Sequence, residues 1–334
     1  MCPKITILTR SGPREAVAPL ILSVSRATDV PAFYMPWFMK RLEEGYVRWV
    51  NPFNGKNQYV SLSRLRAVVF WSKNPRSLLE NLDKLSKYDF SFYVQYTLND
   101  YVSEGLEPMV PDIGSRIDTF VNLAAHIGRE RVVWRFDPLI LARDLRPEDL
   151  LEKIRLVGDA VRGHTEKLVF SFADIDNYRN VRARLEKERL SYRNFTAAEM
   201  DFMAREIASL CAGWGITAAT CGEKVDLAAH GIAHNRCIDD ELILRISSGD
   251  RRLGAFLRGD VSGQLDLFSP SGAKALTSLK DKGQREACGC VWSKDIGAYN
   301  TCCHMCVYCY ANSSPEAVTR NRKSIKEDND ALVG

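Results

Sequence analysis

The chain has 334 residues, 46% hydrophobic and 26% charged, with 46 basic against 42 acidic side chains and a net charge of +4. That is the make-up of a globular protein long enough for one α/β barrel or two ordinary domains. No apolar run approaches the ~20 residues of a membrane helix, the opening ten residues lack a signal peptide's apolar core, and the basic excess neither implies nor excludes nucleic acid, so a cytoplasmic protein with no membrane partner is expected.

Leu20 to Ser25 is a short apolar run ending in Arg26-Ala27-Thr28-Asp29, after which Pro31 opens a segment of helical character from Phe33 to Glu44. The order strand, polar loop, helix then recurs. Ala67 to Trp71 runs into Ser72-Lys73-Asn74-Pro75, and Leu78, Leu79, Leu82 and Leu85 keep a helical spacing. Phe90 to Tyr96 begins a third unit, with Gln95 and Thr97 at its end and a helix over Ser115 to His126. Arg131 to Pro138 is a fourth strand and loop, and Pro147-Glu148-Asp149 opens a helix to about Val161. Lys167 to Phe172, ending at Asp174, is the fifth strand. After a helix from Ala197 to Leu210, Gly215 to Thr220 is the sixth, running into Cys221-Gly222-Glu223.

Six βα units imply a parallel sheet, either closed into a barrel or opened into a doubly wound sheet. No Gly-rich phosphate turn follows a strand, which disfavours the dinucleotide-binding version. The expected fold is α/β, a partial or full parallel (βα) barrel of TIM type over residues 1–253. Residues 254–285 read as a linker rich in Gly, Ser and charge, with Leu265 to Phe268 available for docking. Residues 286–324 read as a cysteine-rich segment packed on the barrel, ending in a helix that Ser313 or Ser314 caps and Pro315 starts, and 325–334 as a polar tail expected to fray.

The loops after the strands make the active face of such a barrel. Here they carry Arg26, Asp29, Lys73, Asn74, Gln95, Thr97, Arg135, Asp137, Asp174 and Glu223. Asp29 and Asp174 read equally well as helix caps. Arg135 and Asp137 end an apolar strand beside Trp134 and Phe136, where opposite charges pair; with Lys73 they are the candidate catalytic groups.

Of ten Cys, eight lie after residue 220. Cys302-Cys303-His304-Met305-Cys306-Val307-Tyr308-Cys309 packs four thiols into eight residues, which favours a metal or cluster site over a disulfide framework. The C-x3-C-x2-C spacing of Cys302, Cys306 and Cys309 lets one short loop hold three corners of a 4Fe-4S cluster and leaves the fourth iron open. The alternatives are a ferredoxin-type run through Cys303, Cys306 and Cys309, which lacks its fourth Cys where Ser313 stands, and a zinc knuckle, for which only His304 is near. Cys221, Cys237, Cys288 and Cys290 are a candidate second site for a cluster or a zinc, Gly289 permitting the tight turn between two ligands. Read plainly, some of these thiols and Cys211 are small buried hydrophobes. His126, His164, His230 and His234 show no ligand spacing, and Phe33 to Phe38 reads as core rather than a base-stacking platform.

The cysteine run resembles that of the radical S-adenosyl-L-methionine (AdoMet) enzymes, C-x3-C-x-aromatic-C, with Tyr308 at the aromatic position and Tyr310-Ala311-Asn312 following. The resemblance implies Cys302, Cys306 and Cys309 as ligands, AdoMet on the open iron, Tyr308 beside the adenine and Cys303 as a bystander. Along nearly its whole length the chain also resembles a bacterial family, domain of unknown function 1848, through Ser25 to Tyr34, Asn51 to Asn54, Phe70 to Pro75, Trp134 to Pro138 and Cys288 to Asn312. This implies a C-terminal cysteine cluster similar to the N-terminal one of radical AdoMet enzymes, and no established substrate; Cys303 is a departure, where a polar residue is expected. Because the cysteine loop comes last, the resemblance further implies a circularly permuted radical AdoMet barrel, in which Ser23 to Asp29 take the place of the second strand. Arg26 and Asp29 are then the candidates for the AdoMet carboxylate and amine, with Gln95 and Glu223 lining the same cofactor cavity.

The expected function is a radical AdoMet enzyme acting on an unknown, small-molecule substrate, with an electron donor such as flavodoxin or ferredoxin. The alternatives are a non-catalytic iron–sulfur or zinc protein, acting as redox sensor or binding module, and a nucleic-acid repair enzyme like spore photoproduct lyase, which no clear basic stripe supports.

Overall fold

In the computed structural model, which describes residues 2–258, 279–281 and 283–334, eight strands form one sheet. Their order is Ala233–His234, Thr217–Thr220, Lys167–Phe172, Val132–Leu139, Ser91–Thr97, Ala67–Ser72, Ile21–Val24 and Lys294–Asp295, and every neighbouring pair is parallel. The order follows the chain without reversal, except that the last strand lies beside the first. The fold is α/β around one parallel sheet. The outermost strands are not paired with each other among the described residues.

Both faces of the sheet are buried, as parallel sheets require. Leu22, Val68, Phe70, Trp134, Phe136 and Phe170 point to one face and pack against the helices Ile113–Ile127, Pro147–Val161 and Ala197–Trp214. Ile21, Val69, Tyr93, Val133 and Val169 point to the other, where the helices Asp240–Ile246 and Arg251–Arg258 supply Leu242, Ile243, Leu253 and Leu257. Local chemistry sets the helix ends. Asp112 caps Ile113–Ile127, Thr196 and Glu199 form a capping box on Ala197–Trp214, and Gly215 (φ 68°) ends that helix. Gly158 permits a close approach: a Cβ there would lie 2.1 Å from the Trp214 ring. No described helix is long and apolar enough to cross a membrane.

Three expectations change. Leu78 to Leu85 form two short helices, Arg76–Leu79 and Leu82–Leu85, rather than one. Residues 254–258, expected to open a linker, complete a helix; Leu265 to Phe268 lie outside the described residues. The end of the chain docks instead of fraying: Trp37 Nε1 donates to the Asn329 carbonyl at 2.8 Å, Arg48 pairs with Asp330 at 2.8 Å, and Ala331 and Leu332 are buried. A second sheet has no counterpart in the sequence reading. It pairs Lys4–Thr9, Gly12–Val17, Asn57–Ser61 and Tyr46–Val50 in that order. Gly12–Val17 carries Pro13, Arg14 and Glu15 and shows no clean alternation, so its pairing partners, not its own pattern, make it a strand.

One carboxylate joins the last strand to the first. Asp295 accepts the Ser23 hydroxyl at 2.7 Å, the Ser25 hydroxyl at 2.9 Å and the N–H groups of Arg26 and Gly297 at 2.9 and 2.8 Å. Gly297 is needed beside it, since a Cβ would sit 1.8 Å from Ser25 Oγ. Asp295→Ala, which strands these donors, is expected to lower the unfolding free energy by about 2–3 kcal/mol, read as a lower urea midpoint at unchanged slope.

Candidate functional site

The first strand ends in a polar loop whose Asp29 caps the short helix Val30–Phe33, accepting the Ala32 N–H at 3.0 Å. Its second oxygen accepts the Lys73 N–H at 2.7 Å, from the loop after Ala67–Ser72, and His304 Nε2–H at 2.8 Å, from the cysteine loop. One carboxylate, 5% exposed, thus seats Cys302–Cys309 over the carboxyl ends of the strands. Further clamps hold the loop. The Val307 N–H donates to Leu106 O at 2.9 Å, Asn312 Nδ2 to Cys302 O at 2.8 Å, and Arg184 to the carbonyls of Cys309 and Asn312.

Beneath the loop lies a buried charge network. Lys73 Nζ reaches Glu107 at 2.7 Å and Tyr308 Oη at 2.8 Å; Tyr308 donates to Glu107 and accepts from Asn99 Nδ2 at 3.1 Å. Arg116 stands 3.9 Å from Glu107, and both side chains are 0% exposed. Burial pushes the Glu107 carboxyl up, but the charges of Lys73 and Arg116 outweigh it and hold the group below its ordinary value. Burial likewise pulls Lys73 down, and Glu107 holds it above its ordinary value. Within this network two cations face one anion, and the Asp29 carboxylate stands beside it under the loop.

Burial drives Cys302 and Cys306 upward as thiols. The charge of Asp29 raises Cys302 further, whereas that of Lys73 opposes the rise of Cys306. Without a metal, Cys302 and Cys306 stay protonated. Cys303 faces the Tyr34 hydroxyl at 4.0 Å. Arg26 lies over the Trp71 ring at 5.1 Å, and its buried Nη2 has no partner among the described residues.

A second constellation occupies the other face of the sheet. Arg135 pairs with Asp137 as their spacing suggests, donates to Gln95 Oε1 at 3.1 Å and lies 3.0 Å from Cys237 Sγ. Asp137 also accepts the Ser171 hydroxyl, and Gln95 Nε2 donates to Cys237 O at 2.9 Å. Glu223 accepts the Phe172 N–H at 2.8 Å; burial, with the charge of Asp137 adding, pushes its carboxyl up to about 7.

The expected site therefore divides. Lys73, expected among the catalytic groups, is the internal counter-ion of Glu107. Tyr308, expected beside an adenine, has its hydroxyl committed to Glu107, Lys73 and Asn99, and both oxygens of Asp29 are committed to loop docking. Gln95 belongs with Arg135 and Cys237. His304, Glu107, Arg116, Asn99 and Arg184 were not anticipated; only His304, inside the cysteine run, carried a local signal. Among the described residues no group of three or more His, Cys, Asp or Glu side chains is gathered to hold a metal ion. Two surface grooves, about 690 Å³ along Pro315–Ser324 and about 540 Å³ between Arg66 and Arg252, do not include the cysteine loop.

The sequence model of a family described as "Domain of unknown function (DUF1848)" matches residues 21–311, and the chain belongs to that family. No curated protein matches it. Among solved structures, "a putative alpha-L-fucosidase from Bacteroides thetaiotaomicron VPI-5482" is similar at 12% identity and a TM-score of 0.26, over 49% of this chain and 66% of that one; a likeness so slight carries nothing about activity.

The internal ion pair has a direct test. Lys73→Met leaves Glu107 a buried carboxylate short of its nearest cation, so the unfolding free energy is expected to fall by about 3–5 kcal/mol in a urea titration. An unchanged midpoint would instead free Lys73 for chemistry.

Proposed function

We propose that this member of the DUF1848 family is a radical AdoMet enzyme on a circularly permuted, partial (βα) barrel, with Cys302, Cys306 and Cys309 holding a 4Fe-4S cluster and AdoMet bound at its open iron. The observation that carries the reading is the seating of the Cys302–Cys309 loop, with Cys306 buried and Cys302 and Cys309 half-buried, over the strand ends by Asp29 and His304, with the cations Lys73 and Arg116 beneath it. That donor set fits the group: three thiolates suit a cubane with one free corner, and Lys73 and Arg116 complement their negative charge. When bound, the cluster supplies one electron to AdoMet, renewed by a donor such as flavodoxin or ferredoxin.

The chain's own residues bind and orient. Arg26, with a buried Nη2 free of any described partner, is the group for the AdoMet carboxylate. Asp29 acts as a positioning residue through His304 and the Lys73 backbone. Asp137, Ser171 and Glu223, at neighbouring strand ends, offer hydrogen bonds to a small polar substrate, Glu223 in either protonation state near neutral pH. The uninterrupted parallel order, with the last strand beside the first, is the arrangement a permuted barrel requires.

Anaerobic reconstitution followed by incubation with AdoMet and dithionite is expected to yield 5′-deoxyadenosine by chromatography. Cys302→Ala, Cys306→Ala and Cys309→Ala should each abolish that product and the brown colour of the site, whereas Cys303→Ala keeps both. Methylthioadenosine would reassign the chemistry to aminocarboxypropyl transfer; a loaded cluster that leaves AdoMet intact would sink the reading. Arg26→Gln is expected to weaken AdoMet binding roughly tenfold to a hundredfold in equilibrium dialysis, since one charge-assisted bond is lost.

A further inference from the structure

We propose that Cys221, Cys237, Cys288 and Cys290 hold a second metal centre on four thiolates, separate from the Cys302 loop. Three stretches remote in sequence bring them together. Cys221 follows the strand Thr217–Thr220, Cys237 lies in the segment after Ala233–His234, and Cys288 and Cys290 stand on the turn before Val291. Backbone bonds fix that turn against Cys237: the Val291 N–H donates to Ile238 O at 3.2 Å, and Cys290 O accepts the Asp281 N–H at 2.9 Å.

The sulfurs form a chain of contacts. Cys221 and Cys237 are 3.4 Å apart, Cys290 Sγ accepts the N–H groups of Cys237 and Ile238 at 3.2 and 3.4 Å, and Cys288 stands two residues before Cys290 on the same turn. Cys237 Sγ also receives Asn235 Nδ2 at 3.5 Å and the Arg135 guanidinium at 3.0 Å. A neutral thiol is a weak acceptor, and a cysteine serving only as a small hydrophobe needs no donors at all. Four donors, one a buried cation, converge on two buried sulfurs, contacts that suit thiolate ligands once a metal has displaced the protons.

All ten cysteines are free thiols, so no disulfide competes for these four. As free thiols Cys221 and Cys237 bond to each other, and the four are not spread as one ion's ligands; metal loading replaces the Cys221–Cys237 hydrogen bond with sulfur–metal bonds and releases the thiol protons to solvent. With four protein ligands the centre has no open position, so it ties the three stretches together or relays electrons rather than binding substrate.

The test uses the full chain, purified without oxygen, with iron, zinc and acid-labile sulfide measured per folded molecule. The triple variant Cys302→Ala/Cys306→Ala/Cys309→Ala removes the loop site only, so the outcome is independent of the radical AdoMet reading. It is expected to keep either ~4 iron with labile sulfide or ~1 zinc, which distinguishes a cluster from a single ion. Adding Cys221→Ser, or Cys288→Ser with Cys290→Ser, should remove that metal. A triple variant that is folded by circular dichroism yet free of iron and zinc overturns the proposal, as does metal that survives both additions. Should the added variants fail to fold, the triple variant alone still decides it, because there the four cysteines are intact.

Discussion

The carboxylate of Asp29 is the constraint on which the strand-end architecture depends. A charge this buried must be met by donors, and it is met three times, by the N-terminus of its own helix, by the Lys73 amide and by the His304 ring. Each bond comes from a different part of the chain. Moving any one of the three loops would strand a donor or an acceptor away from water, so the cysteine loop is tied to the two strand-end loops.

Around this platform, buried charge is sorted by the two-residue period of the strands and by the loops that follow them. On Val132–Leu139 the alternation sends Trp134 and Phe136 into the helix-covered core, while Arg135 turns to the opposite face with Val133 and meets Cys237. The Lys73–Glu107–Arg116 network sits under the cysteine loop, and the Arg135–Asp137 pair sits beside the second cysteine group. In both places guanidinium or ammonium groups are buried next to thiols. Such cations are costly to desolvate without partners, and here the carboxylates of Glu107 and Asp137 supply the opposite charge.

The chain's end is as firmly attached as its middle. Lys294–Asp295 completes the sheet beside the first strand through the Asp295 carboxylate, and residues 329–332 pack against Trp37 and Arg48. The cysteine loop, last in sequence, is therefore held from both sides and takes its place over the opening strands. Contact between distant parts of the chain, not order along it, determines which residues share the site.

Much of the architecture is written locally. The strand Lys167–Phe172 and the helix starting at Pro147 follow from runs of apolar residues, proline and caps within one segment, and the Cys302–Cys309 spacing and the Arg135–Asp137 pairing are likewise visible in a few consecutive residues. What the tertiary structure alone decided is partnership. Lys73 finds Glu107 across 34 residues and His304 finds Asp29 across 275, while Ala233–His234 and Lys294–Asp295 are too short to show any period. Periodicity records only how a segment presents its faces. A buried charge, by contrast, takes whichever partner folding brings within reach, so six strands of the large sheet and the cysteine motif are legible in their own segments, whereas the partners of Lys73 and Asp29 are settled only in the folded chain.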